Sequence, residues 1–189
     1  AGFIGVGNMG GALLTAAAKS AAHGSLAICD QNKERTAALS EEYGCAVLGA
    51  QELTEESSFV FLGAKPQGFT SLLSPLKDAI AKNKDITLVT MAAGLSIDAV
   101  RKMAGGDYPV IRIMPNTAVG VGEGMILYAT SENLSEEKLC DFLSLMRSAG
   151  SFDRIPEALI DAGSALSGCG PAFVYMFIEA LSDGGVACG

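Results

Sequence analysis

The sequence predicts an α/β fold: a largely parallel sheet flanked by helices, followed by a helical segment of different character. Three observations carry this. Apolar runs of strand length alternate with helix-length stretches through about residue 155, the pattern of successive βαβ units. From Pro156 onward the strand-like runs stop and two helical patterns remain. Finally, 49% of the 189 residues are hydrophobic and only 18% are charged, which excludes intrinsic disorder and leaves apolar material for a buried subunit interface.

Each element follows in order. Residues 2–6 read as a buried strand and 8–22 as a helix of small residues. Residues 26–30 form a second strand, and 32–43 a helix stopped by Gly44. A short strand is expected at 45–48 and a longer one at 58–64. Pro66 suits the first position of a helix, which Pro75 should break or kink. Residues 86–91 are a strand, and Ser96 caps a helix ending near Gly105-Gly106. Strands follow at 110–114 and 125–129. Ser135 then caps an amphipathic helix whose Leu139, Phe142, Leu143 and Met146 fall at i, i+3, i+4 and i+7, with Gly150 expected to end it.

Helices are expected at 156–166 and 171–187. The second carries Phe173, Val174, Phe177, Ile178 and Leu181 on one broad face, more apolar surface than two lone helices can bury. A domain boundary is therefore expected near residue 155, with residues 1–155 one domain and 156–189 the start of a second.

Charge and composition narrow the function classes. The net charge of −8 argues against binding nucleic acid by general electrostatics. No stretch of about 18 apolar residues lacks charge or glycine, so no membrane span is expected. The chain opens inside a strand-like run without a basic leader or an initiating Met, so no signal peptide and a trimmed chain are expected. The five cysteines form no C-x-x-C, and His23 is the one histidine. No metal site is expected, and reduced thiols in a cytoplasmic protein are the better reading.

Gly5-Val6-Gly7-Asn8-Met9-Gly10 fits G-x-G-x-x-G, follows a strand, opens a helix, and is followed 20 residues after Gly10 by Asp30 at the next strand's end. That context is what a dinucleotide site requires. Gly5 allows the tight turn, Gly7 the backbone's approach to a pyrophosphate, and Gly10 close helix–sheet packing, while the helix N-terminus receives the phosphates. Asp30 would accept from an adenosine ribose diol, favouring NADH. Gln31, Asn32 and Lys33 stand where a 2′-phosphate would lie, so NADPH is equally open.

Three further strand ends would line one crevice beyond this loop: Gly63-Ala64-Lys65-Pro66, Met91-Ala92-Ala93-Gly94, and Arg112-Ile113-Met114-Pro115-Asn116-Thr117. Asn116 is a candidate for the nicotinamide carboxamide. Arg112 is equally a partner for an acid within the fold. Ser167-Gly168-Cys169-Gly170-Pro171 precedes the last helix and is expected to present free N–H groups to an anion or polar ring.

Residues 155–189 contain no Lys, Arg or His. Reducing a ketone needs a proton donor beside the oxygen, whereas a protonated imine accepts hydride directly, so C=N is favoured over C=O and no acid/base residue is identified. Glu179 and Asp183 lie four apart, a spacing better explained by an acidic face or a subunit contact than by a hydrolase pair.

These residues resemble the pyrroline-5-carboxylate reductase family. The matching runs are Phe3-Ile4-Gly5-Val6-Gly7-Asn8-Met9-Gly10, Lys65-Pro66-Gln67, Ala92-Ala93-Gly94, Arg112–Thr117 and Ala165-Leu166-Ser167-Gly168-Cys169-Gly170-Pro171-Ala172-Phe173, with Ile178-Glu179-Ala180-Leu181 and Asp183-Gly184-Gly185 beyond. The resemblance implies reduction of 1-pyrroline-5-carboxylate to L-proline with NADPH or NADH. It implies a Rossmann-type N-terminal domain and the start of an all-helical dimerisation domain, in homodimers that assemble further into decamers. By motif match, Ile4, Gly5, Val6, Gly7, Asn8 and Met9, Gly63–Pro66 and Met91–Ala93 become cofactor contacts, and Ser167–Pro171 part of the substrate end. The family usually places Ser or Arg near Asp30 for the 2′-phosphate. Its carboxylate-binding Gly-Gly-x-Thr segment has no counterpart in residues 1–189, so these residues alone are expected to lack a complete active site. Two other readings compete: an oxidoreductase like the β-hydroxyacid dehydrogenases, which would need a helical-domain lysine, and a non-catalytic nucleotide-binding module.

Overall fold

The structure is a computed structural model describing residues 1–22 and 24–189; His23 lies outside the described residues. The strands are β1 (Gly2–Ile4), β2 (Ala27–Cys29), β3 (Ala46–Val47), β4 (Phe59–Leu62), β5 (Thr87–Thr90), β6 (Val110–Met114), β7 (Gly124–Thr130) and β8 (Gly150–Arg154). The helices are α1 (Asn8–Ala18), α2 (Lys33–Tyr43), α3 (Ala50–Glu56), α4 (Phe69–Leu73), α5 (Lys77–Lys82), α6 (Ile97–Ala104), α7 (Glu136–Met146), α8 (Ile160–Ser167) and α9 (Gly170–Ala187).

All strands join one sheet in the order β3-β2-β1-β4-β5-β6-β7-β8. The first six are mutually parallel, β7 runs antiparallel to β6, and β8 runs parallel to β7. Because both faces are covered, the central strands β4, β5 and β6 are buried throughout and mostly apolar, and successive side chains feed opposite cores. In β4, Phe59 and Phe61 enter one core with Phe3, Leu13 and Phe142, while Val60 and Leu62 enter the other with Leu53, Phe69, Leu73 and Val100. Phe3 and Phe61 stack with ring centroids 4.2 Å apart, fastening β1 to β4.

Local chemistry ends the helices as expected. Gly44 and Gly105 adopt left-handed φ values of 66° and 88° at the ends of α2 and α6. Asn32, Ser96 and Ser135 accept from backbone N–H groups at the starts of α2, α6 and α7. Pro75 does break its helix, which resolves into α4, a 3₁₀ turn at Ser74–Leu76, and α5.

Four expectations need correction. Helix α3 was not foreseen: its seven residues, AQELTEE, hold too few apolar positions for a period to show. Gly150 does not end the α7 helix; a 3₁₀ turn at Arg147–Ala149 does, and Gly150 opens β8. There a Cβ would stand 2.1 Å from the Gly124 carbonyl oxygen, so the glycine is needed for strand contact. Strand β8 is an edge strand of mostly exposed polar residues and carries no hydrophobic signal. Finally, the stretch Glu157–Ala187 is helical over 31 residues and contains an 18-residue window of mean hydropathy 1.3, long and apolar enough by length and composition to cross a membrane. Gly184 and Gly185 do not interrupt α9, so glycine content was a poor criterion for excluding a span.

The fold is equally tight where β1 meets α1. A Cβ on Gly10 would lie 2.1 Å from the Gly5 carbonyl oxygen. Replacing Gly10 by Ala should therefore force backbone movement and destabilise the protein by about 1–3 kcal/mol. Denaturant unfolding checks this, and an unchanged midpoint would show that the junction tolerates a side chain.

Candidate functional site

The sheet's parallel strands place their carboxyl ends at one edge, and the first of these builds an anion cradle. Strand β1 ends at Ile4. The Gly5 N–H then donates to the Cys29 carbonyl (2.8 Å) and the Gly63 N–H to the Ile4 carbonyl (2.7 Å), which draws the ends of β2 and β4 around the turn. Gly5 takes φ 88°, a conformation a side chain would strain. Gly7 caps α1, and the first helical bond runs from the Gly11 N–H to the Gly7 carbonyl (2.7 Å). The N–H groups of Asn8, Met9 and Gly10 thus stand at the positive end of a helix whose first turn has no acidic residue.

Whether a dinucleotide fits is tested by Gly7. A Cβ there meets no atom within 4 Å, in contrast to Gly10 and Gly63, which are packed against backbone. The space at Gly7 is open on the side a pyrophosphate would approach, and its φ of −60° is available to any residue. Protein packing alone gives no reason for a glycine here.

Asp30 faces this loop. Its Oδ2 accepts from the Val6 N–H (2.8 Å) and its Oδ1 from the Asn32 N–H (2.9 Å). The carboxylate therefore braces the glycine-rich loop, a role beyond the expected one toward a ribose diol. Lys33 folds back, donating to the Asp30 carbonyl (3.3 Å), and the Asn32 side chain is engaged as the α2 cap, accepting from the Arg35 N–H (3.0 Å). Beside them opens a cleft of about 590 Å³ lined by Ile4, Gly5, Cys29, Asp30, Gln31, Lys33, Ala50, Ala64 and Leu72. Burial pushes the Cys29 thiol pKa up, so it enters this cleft as a neutral, apolar wall.

One residue of this region was not anticipated. Arg35 reaches back from the first turn of α2 and donates from Nη2 to the Gly7 carbonyl (3.1 Å), and its buried Nε has no partner among the described residues. Its position five residues after Asp30, facing the loop once α2 starts at Lys33, was the available signal.

The remaining strand ends follow round the same edge. Lys65 is exposed and extended at the start of a 3₁₀ turn at Pro66–Gly68, and Met91, Ala92 and Ala93 close β5. Two expectations change here. Asn116 is partly engaged within the chain: its Nδ2 donates to the Ser167 carbonyl (3.1 Å) and its Oδ1 accepts from the Met125 N–H (3.3 Å), which leaves one N–H and one lone pair of the amide. Arg112 proves to be the partner of acids within the fold, 2.7 Å from Asp161 and 3.4 Å from Glu157.

The Ser167–Pro171 run also differs from expectation. Gly168 and Cys169 stay in right-handed helical conformation, so α8 passes into α9 with little break. The Gly168 and Cys169 N–H groups both donate to the Ser164 carbonyl, which removes most of the expected free donors. What the run keeps is its location: Asn116 holds it beside the carboxyl end of β6.

Comparison with known proteins identifies the family. Residues 1–94 match a family model described as NADP oxidoreductase, coenzyme F420-dependent, and residues 157–189 one described as pyrroline-5-carboxylate reductase dimerisation. The chain is 38% identical over 186 residues to a pyrroline-5-carboxylate reductase of Aquifex aeolicus, covering 98% of this chain and 68% of that protein. It is 34% identical over 191 residues to the enzyme of the same name from Escherichia coli, covering 100% and 70%. Among solved structures, it resembles a Plasmodium falciparum pyrroline carboxylate reductase with NADP bound (TM-score 0.87, 30% identity, 100% of this chain and 69% of that one). It also resembles the Streptococcus pyogenes 1-pyrroline-5-carboxylate reductase (TM-score 0.86, 33% identity, 100% and 70%).

The contrast between Gly7 and Gly10 yields a prediction. Gly7→Val should leave the unfolding free energy within about 1 kcal/mol, because the site is open and the backbone unstrained. It should raise the dinucleotide dissociation constant on the order of ten- to a hundredfold, the loss of one or two hydrogen bonds to a charged group. Titration calorimetry on the folded variant measures this; unchanged affinity would remove the loop from the site.

Proposed function

This chain belongs to the pyrroline-5-carboxylate reductase family, and we propose on that premise that it reduces 1-pyrroline-5-carboxylate to L-proline with NADPH or NADH. The observation that carries the reading is the open Gly7 cradle at the α1 N-terminus, next to a cleft lined by Gly5, Asp30, Lys33 and Ala64 at the carboxyl ends of β1, β2 and β4.

In this mechanism the bound nicotinamide cofactor supplies the hydride. The protein's own residues bind and orient. The first-turn N–H groups of α1 hold the pyrophosphate, with the Arg35 guanidinium adding positive charge at the same place. Asp30 keeps the loop in shape through the Val6 N–H and meets the ribose side. Ala92 and Ala93 present little bulk at the end of β5, which lets a nicotinamide ribose lie close. The Ser167–Pro171 turn borders the substrate end. The substrate arrives as a protonated imine: its carbon takes the hydride, the C=N electron pair moves to nitrogen, and nitrogen keeps its proton. No acid or base from residues 155–189 is required, consistent with the absence of Lys, Arg and His there.

The same reading covers assembly and place. Residues 1–155 act as the dinucleotide domain and 156–189 as the start of the helical one. Phe173, Phe177, Ile178 and Leu181 of α9 are each more than half exposed in the single chain. With Glu179 and Asp183 on the same helix, this face is a subunit interface in a homodimer that extends to a decamer, not a lipid-facing span. The enzyme works in the cytoplasm, its five cysteines all free, and with net charge −8 it has no nucleic-acid partner.

The test is steady-state oxidation of NADPH and NADH by the purified enzyme with pyrroline-5-carboxylate. Turnover is expected with both cofactors; cofactor binding without turnover would favour a nucleotide-binding module. Asp30→Ser should raise KM for both, since the Val6 N–H loses its acceptor. The rise should be larger for NADH, because loss of the carboxylate also lifts its repulsion of a 2′-phosphate. A ratio of kcat/KM values that does not move would show that Asp30 does not face the ribose.

A further inference from the structure

The run Arg112-Ile113-Met114-Pro115-Asn116-Thr117 has no direct part in the site as described, yet it is costly to build. Arg112 lies in the middle of the sheet, between Thr90 of β5 and Ala129 of β7, and is only 3% exposed. Its Nε has no partner among the described residues. Its guanidinium is buried while the Asp161 carboxylate is 61% exposed, so the pair returns little of the cost of desolvating the arginine, and an apolar side chain of similar volume would serve stability as well. The pair's strength lies in setting geometry.

The geometry in question is that of α8. Ile160 is the sole fully buried residue of this helix, and Gly163 allows it close to β7, where a Cβ would stand 2.5 Å from Leu127 Cδ1. So small an apolar grip leaves the helix free to rotate and slide. Polar contacts pin it near both ends instead. Arg112 Nη2 donates to Asp161 Oδ1 in the first turn (2.7 Å), and Asn116 Nδ2 to the carbonyl of Ser167, the last residue (3.1 Å). Glu157, just before α8, accepts from Arg112 Nη1 (3.4 Å) and from the N–H of Ile97 at the start of α6 (2.6 Å). The loop leading into α6 is the one that carries Ala92 and Ala93.

We infer that Arg112 and Asn116 are positioning residues, a bracket from β6 that fixes α8 and thereby sets the Ser167–Pro171 turn over the crevice where the imine meets the cofactor. The inference rests on the activity proposed above. The bracket acts on the substrate end alone, because among the described residues neither hydrogen-bonds to the phosphate loop, Asp30 or Arg35.

The experiment compares the purified enzyme with its Arg112→Lys, Asp161→Asn, Asn116→Ala and Arg112→Lys/Asp161→Asn variants. Lysine keeps the charge but cannot reach both carboxylates in the same fork. KM for pyrroline-5-carboxylate should rise about tenfold or more in each single variant, the scale at which misplacement of a positioning element is felt. The NADPH dissociation constant should stay within about twofold, and the double variant should be no worse than its poorer single parent, as expected of residues acting as one unit. Amide exchange across residues 163–172 should quicken while that of α1 and β1 does not. A parallel loss of NADPH affinity, or lower thermal stability with an unchanged substrate KM, would overturn the inference and leave Arg112 a purely structural residue. If the unaltered enzyme fails to turn over the imine, the activity is wrong. The exchange pattern still decides the bracket: unchanged exchange at 163–172 in every variant refutes it.

Discussion

Everything at the working edge of this molecule depends on how closely three backbone segments approach one another. The carbonyl of Gly5 lies where side chains on Gly10 or Gly63 would have to go, at 2.1 and 2.2 Å. That contact seats the first turn of α1 directly on the ends of β1 and β4. The helix dipole is therefore aimed over the sheet edge, and its unpaired N–H groups end up beside the crevice. A single methyl group at the junction would tilt the helix and turn its donors away. The strict requirement sits at Gly5, Gly10 and Gly63, while Gly7 stands in open space.

A second constraint makes the loop rigid from outside. The β2–α2 connection grips it at adjacent residues: Asp30 takes the Val6 N–H and Arg35 donates to the Gly7 carbonyl. The two side chains carry opposite charges and hold a donor and an acceptor respectively. The β2–α2 connection and the glycine-rich loop are thus parts of one hydrogen-bonded unit.

Much of this was legible in the residues. The glycine spacing and the acid 20 residues on located the cradle, because its chemistry is local in sequence. Helix ends at Gly44 and Gly105 were readable for the same reason. What escaped was set by long-range contact. Strand β8 has no apolar signature because its edge faces water, and the reversal of β7 against β6 follows from register rather than composition. Asn116 stood at a strand end, like a ligand-binding residue, and only the fold reveals that Ser167, 51 residues away, has claimed its amide. The Ser167–Pro171 glycines suggested a turn of free donors. They lie in helical backbone because neighbouring helices stack almost end to end, which no pattern of glycine and proline announces.

The unburied face of α9 has a consequence for how the protein is made. The sheet and its flanking helices close both cores from residues of one chain, largely through neighbours such as β4 with β5 and β6 with β7. Helix α9 has no buried residue of its own within the chain. Folding is thus divided into a unimolecular stage that completes the nucleotide-binding half and a bimolecular stage that waits on encounter. Between the two, newly synthesised chains carry a sticky apolar helix, and the concentration of partners decides whether it finds its mate or a wrong one.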